Sequence, residues 1–193
     1  LDTTQPSLLL RIRNRSDADA WATFDEIYRP ILARYARARG LRDADVDDVV
    51  QHCMQAVSSH IGSFEYDPAR GRFKGWLRTI VNNRVRSLAA KRTEASADTA
   101  VMASAEADGE GPEDLFERLW DQEHLWHCLR RMRAEVEPAT FEAFRRYVIE
   151  EQPAEAVARD LGLSTGNLYT IKWRLTERLS QHMGRLIGDD DGA

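Results

Sequence analysis

Apolar residues recur at helical spacing along most of the chain. Trp21, Phe24, Tyr28, Ile31 and Tyr35 form a first stripe, which Ser16 or Asp17 can cap and Gly40 ends. Pro30 lies inside that stripe and is expected to kink or split the helix, because proline lacks the backbone donor and crowds the preceding turn. A second helix opens on Asp43, Asp45, Asp47 and Asp48, carboxylates that suit a positive helix N-terminus. Its stripe is Val46, Val49, Val50, Cys53, Met54 and Val57, it stops at Gly62, and Asp48, Gln51, His52, Gln55 and Ser59 make its polar side. A third stripe, Phe73, Trp76, Leu77, Ile80, Val81, Val85 and Leu88, follows a loop carrying Asp67-Pro68 and Gly71.

The pattern then lapses. Residues 93–114 hold seven acidic side chains, no Lys or Arg, and much Ala, Ser and Gly, so they read as a linker with too little apolar content to fold alone. Pro112 is placed to open the next helix. Beyond it, Leu115, Leu119, Trp120, Trp126 and Leu129 supply one apolar face, and Phe141, Phe144, Tyr147 and Val148 another. Residues 153–179 carry a sharper pattern. A short helix with Val157, Ala158 and Leu161 meets Gly162-Leu163-Ser164, and Ser164 can cap a helix striped by Leu168, Ile171, Leu175 and Leu179. That layout predicts a helix-turn-helix. The expected fold is all-α, with a first helical domain at 1–92, an acidic linker at 93–114 and a second domain at 115–193.

Charge sharpens the picture. The whole chain carries a net charge of −5, yet residues 70–92 hold eight Arg or Lys and no Asp or Glu. Opposite the apolar stripe of that block, Arg78, Thr79, Asn82, Asn83 and Arg86 share one arc, mixing cations that suit phosphate with amides that suit base edges. A solvated basic helix is the plainer alternative. In the last helix, Tyr169, Thr170, Trp173, Arg174 and Glu177 project away from the core stripe. Such a face fits a major groove, with Arg174 on guanine or phosphate and Thr170 on a base edge, whereas a helical hairpin without nucleic acid is the alternative. No apolar run reaches the roughly 20 residues of a membrane span, so no membrane insertion is expected. Cys53 and Cys128 read as small buried hydrophobes in a reducing cytoplasm. His124, His127 and Cys128 lie close enough for a metal site. However, they sit in a Trp-flanked helix with no second ligand pair, so no metal, other cofactor or catalytic role is expected.

The order of these parts resembles the bacterial RNA polymerase sigma factors of the two-domain, extracytoplasmic-function branch. DADVDDVVQ and FEYDPARGRFKGWLRTIVNNRVRSLAAKR look like the first domain of that family, and AVARDLGLSTGNLYTIKWRLTERL like its second. The resemblance implies a non-enzymatic factor that binds RNA polymerase core, recognises minus-thirty-five and minus-ten promoter elements and promotes melting. It places Asp48 and Gln51 at the polymerase contact, with His52, which stands where relatives carry Glu, and Gln55 beside them. Asn83 falls near the site of an unpaired minus-ten base, with Asn82, Arg78 and Arg86 on the same helix and Phe64 and Tyr66 on the loop before it. Those two aromatics can pocket an extruded base or pack in the core. Tyr169, Thr170, Trp173 and Arg174 fall at positions meeting the minus-thirty-five element, joined by Thr165 and Asn167 at the start of that helix. Promoter DNA and polymerase core are the implied partners, and an anti-sigma factor is a further candidate. Two rivals are weighed against this: a helix-turn-helix regulator acting without polymerase, and a helical module binding protein alone. The first leaves the basic helix and the acidic stretch unassigned.

Overall fold

The computed structural model describes residues 6–64, 72–95 and 111–187. Its elements are helical throughout, with no strand among the described residues, so the fold is all-α. The chain divides into two compact units, Leu1–His124 and Leu125–Ala193.

The first unit contains α1 (Pro6–Arg11), α2 (Ala18–Ala38), α3 (Asp43–His60), a short 3-10 turn (Ile61–Ser63), α4 (Arg72–Ala95) and the first half of α5 (Pro112–Glu135). Asp17 caps α2 by accepting the Ala20 backbone N–H at 3.0 Å. Arg11 of α1, an element the apolar pattern does not announce, donates two hydrogen bonds to that carboxylate, each 2.9 Å long. The guanidinium holds the Asp17 carboxyl below its ordinary pKa. Pro30 does not split α2, which runs unbroken from Ala18 to Ala38. Its neighbours Ile27, Tyr28, Ile31 and Leu32 are all buried, so core packing on both sides of the proline offsets the backbone bond it removes. Gly40 follows at a φ of +80°, where a side chain would be strained, and turns the chain toward α3.

α3 buries Val46, Val49, Val50, Cys53 and Val57. From α4 the line Phe73, Leu77, Val81 and Val85 enters the same core, while Trp76, Ile80 and Leu88 are half-buried. An aromatic cluster closes it. Trp120 of α5 lies 5.3 Å from Tyr28, 6.3 Å from Phe73 and 5.7 Å from Phe116, and Phe116 lies 5.5 Å from Tyr35. Phe116 and Trp120, which follow the boundary expected at residue 115, are buried in this core, and the first compact unit runs to His124. Both ends of the stretch expected as a linker are helical. α4 extends through Ala95 and α5 begins at Pro112, and the residues between, 96–110, lie outside the described residues.

The second unit holds the rest of α5, α6 (Pro138–Phe144) continuing into a π turn (Arg145–Ile149), α7 (Ala154–Asp160) and α8 (Thr165–Ile187). Its core joins Leu129 and Met132 of α5 to Phe144, Val157, Ala158, Leu168, Ile171 and Leu175. Trp126, expected on the apolar face of α5, is instead 44% exposed, because the buried row runs through Glu123, His124, His127 and Cys128. Between α7 and α8, Gly162 adopts a φ of +66°, the left-handed conformation that glycine enters without strain. Ser164 Oγ accepts the Asn167 backbone N–H at 3.1 Å and so caps α8.

Candidate polymerase and nucleic-acid interfaces

On α3, Gln51, His52 and Gln55 are exposed. Gln51 and Gln55 line a groove between α2 and α3 with Trp21, Arg29, Asp47, Met54 and Ser58. Asp48 is half exposed but not idle, since Arg84 of α4 donates to it from Nε at 2.9 Å. The row thus contains two exposed amides, one exposed imidazole, and a carboxylate already held by a cation.

The polar arc of α4 divides. Thr79, Asn83 and Arg86 are exposed, whereas Arg78 and Asn82 are not free. Asn82 accepts a hydrogen bond from the Tyr35 hydroxyl, and burial raises the pKa of that phenol. Arg78 reaches Glu113 at 3.2 Å and Glu117 at 3.9 Å, both on α5. Periodicity does not mark this division, because Tyr35 of α2 and Glu113 and Glu117 of α5 meet the arc only in the folded chain. Phe64 stacks 5.0 Å from Trp76 and 5.9 Å from Phe73, and its carbonyl accepts from Arg13. It is packed on α4 in this state. Tyr66 lies outside the described residues.

On α8, Thr165, Asn167, Tyr169, Thr170, Trp173 and Arg174 are all exposed, Trp173 by 71% and Tyr169 by 51%. The Tyr169 ring meets Tyr147 edge-on at 5.9 Å, and Lys172 lies 5.4 Å over Tyr147. Those contacts order the base of the aromatic row, and Trp173 stands clear of it. The Thr170 hydroxyl donates to the Gly166 carbonyl at 3.0 Å, which leaves its lone pairs directed outward as acceptors.

Several structurally engaged charges escape the periodicity argument. Lys74 of α4 is buried and pairs with Glu117, and Arg34 of α2 meets the buried Glu123 at 2.7 Å. The available signal was the acidic row Glu113, Glu117 and Asp121, which recurs once per turn on α5. Among the described residues, no group of three His, Cys, Asp or Glu side chains is placed to hold a metal ion, and no helix is long and apolar enough to cross a membrane.

Comparison with protein families matches residues 24–94 to Sigma-70 region 2. Comparison with curated proteins gives no match. The matched span covers most of α2, all of α3 and nearly all of α4, the elements that carry the amide row and the basic face. Its role in that family is promoter recognition and melting by a non-enzymatic initiation factor that works with RNA polymerase core and promoter DNA. Residues 24–94 are thus similar to Sigma-70 region 2, a likeness that supports a sigma-70 family RNA polymerase sigma factor.

Proposed function

We propose that the chain is a sigma factor of the extracytoplasmic-function branch that divides promoter recognition between its two units. The carrying observation is the outward row on α8, headed by a 71% exposed Trp173, in the same chain as a region 2 domain. A large aromatic left in water favours a partner surface. α7 and α8 act as a helix-turn-helix, and α8 enters the major groove of the minus-thirty-five element. There Arg174 and Thr170 address base edges, Tyr169 and Trp173 offer apolar contact to thymine methyls, and Thr165 and Asn167 stand near the backbone. Asn83 and Arg86 of α4 face the minus-ten element. Capture of an unpaired base there favours the open duplex, because the closed duplex cannot make those contacts.

Polymerase docks on the exposed side of α3, through Gln51, His52 and Gln55, with Asp48 at its edge. Because Asp48 holds Arg84, replacing it alters α4 as well as the docking face. The cleaner test is Gln51→Ala with Gln55→Ala, two exposed amides at the groove. The double variant should keep its helix content and compete for purified core at least about tenfold less well, a loss of about 1.4 kcal/mol. Competition equal to the parent's would remove α3 from the docking surface. A chain that bound promoter duplex tightly and ignored core would instead be a regulator independent of polymerase.

A further inference from the structure

Two cations in the first turns of α4, Lys74 and Arg78, face carboxylates of α5. Lys74 has only 7% of its side chain exposed, pairs with Glu117, and lies 3.9 Å from Asp121. Its ammonium also stands 5.6 Å over the Trp120 ring. One turn later, Arg78 meets Glu113 and Glu117. Glu113, Glu117 and Asp121 occupy successive turns of α5, so a row of carboxylates lies along a row of cations within the first unit. Carboxylate and phosphate oxygens offer the same kind of charged acceptor to Lys and Arg.

We propose that Lys74 and Arg78 form a phosphate-binding site for single-stranded DNA, and that α5 carboxylates occupy this site until a strand displaces them. The proposal rests on the promoter-melting role assigned to α4. The acids are poised for exchange: Glu113 is 73% exposed, Asp121 49% and Glu117 45%. Their side chains can turn into water while Phe116 and Trp120, both fully buried, keep α5 seated. Arg78, 27% exposed, then opens by side-chain motion alone. Lys74 is covered by α5 itself and opens only when that helix shifts. The site therefore fills in two stages, and the second couples strand binding to the position of α5.

The test compares the full chain with an E113Q/E117Q/D121N variant for binding a labelled single-stranded DNA of mixed sequence, followed by fluorescence anisotropy across salt concentrations. The variant should bind about tenfold tighter, with a steeper salt dependence as hidden cations gain phosphates. An E137Q/E151Q/E155Q control, at three exposed positions of the second unit, changes net charge equally away from α4 and should gain far less. Arg78→Gln should cost the parent little but remove most of the gain from the neutralised variant, the non-additivity of a covered site. If the triple variant melts early, Glu113→Gln alone, at a largely exposed position, should give a smaller gain that Arg78→Gln again removes. A parent that binds the strand while the neutralised variant gains nothing, or gains only what the control gains, overturns the site. Folded proteins that all fail to bind the strand overturn the nucleic-acid reading beneath it.

Discussion

Arg78 and Arg86 share a helix and a sequence pattern, yet Arg78 is paired with α5 while Arg86 is exposed. That contrast sets what single substitutions should do. Arg174→Ala, at an exposed position on α8, should lose about 1–3 kcal/mol of upstream duplex recognition, the usual value of one good base contact. Asn83→Ala should spare duplex binding and instead impair strand opening, read by permanganate reactivity of unpaired thymines. Equal loss of duplex binding in both variants would contradict the division. At the cysteines burial outweighs the opposing charge of Arg84 and Arg131. Burial pushes the Cys53 thiol up to about 12 and the Cys128 thiol up to about 11, from an ordinary 9.0. Both should resist a thiol reagent at neutral pH in the native protein and react once it unfolds. Each folded pKa is raised, so the unfolded chain loses these protons first. Their stabilising contribution is complete below pH 9 and is lost as pH rises toward 11 and 12. Rapid labelling of the native chain would show the burial to be wrong.

At the scale of elements, α5 carries more of the first core than its sequence position suggests. Trp120 and Phe116 are fully buried against Tyr28, Tyr35 and Phe73. Trp120→Ala should therefore cost about 3–5 kcal/mol, the range for a large buried aromatic, and lower the melting point of the first unit. A loss under about 1 kcal/mol would mean that α5 does not belong to that core, since even an ordinary core deletion exceeds it. This helix also marks where reading from sequence runs out. The stripes of α2, α3 and α4 are legible because each buries one continuous face, and Gly162 and Ser164 announce the turn before α8 by their backbone chemistry. Which helix covers which is not written in periodicity. Phe116 looks alike whether it fills one core or the other, and Arg78 looks free until Glu113 is placed beside it. Pro30 sits in an unbroken α2 for a related reason, since local propensity is overridden where both flanks are buried. The exposed candidates on α8, by contrast, followed directly from projecting one well-capped helix.

On the scale of the whole molecule, the chain carries −5 in net charge and concentrates its cations in residues 70–92. A chain of that net charge repels duplex DNA at long range, so the two faces proposed for DNA suit a duplex that a third molecule holds in place. Binding of isolated promoter duplex should accordingly be weak and fall steeply with salt, and addition of core should raise it sharply. The account stands or falls on that dependence. The most direct measurement is transcription by purified RNA polymerase core on a library of random upstream sequences, with and without the full chain. The account predicts that transcripts appear only with both proteins, start downstream of two separated sequence elements, and lose the upstream element's selectivity in Arg174→Ala. Core that binds the chain yet initiates nowhere, or transcripts with no enriched upstream sequence, would contradict it.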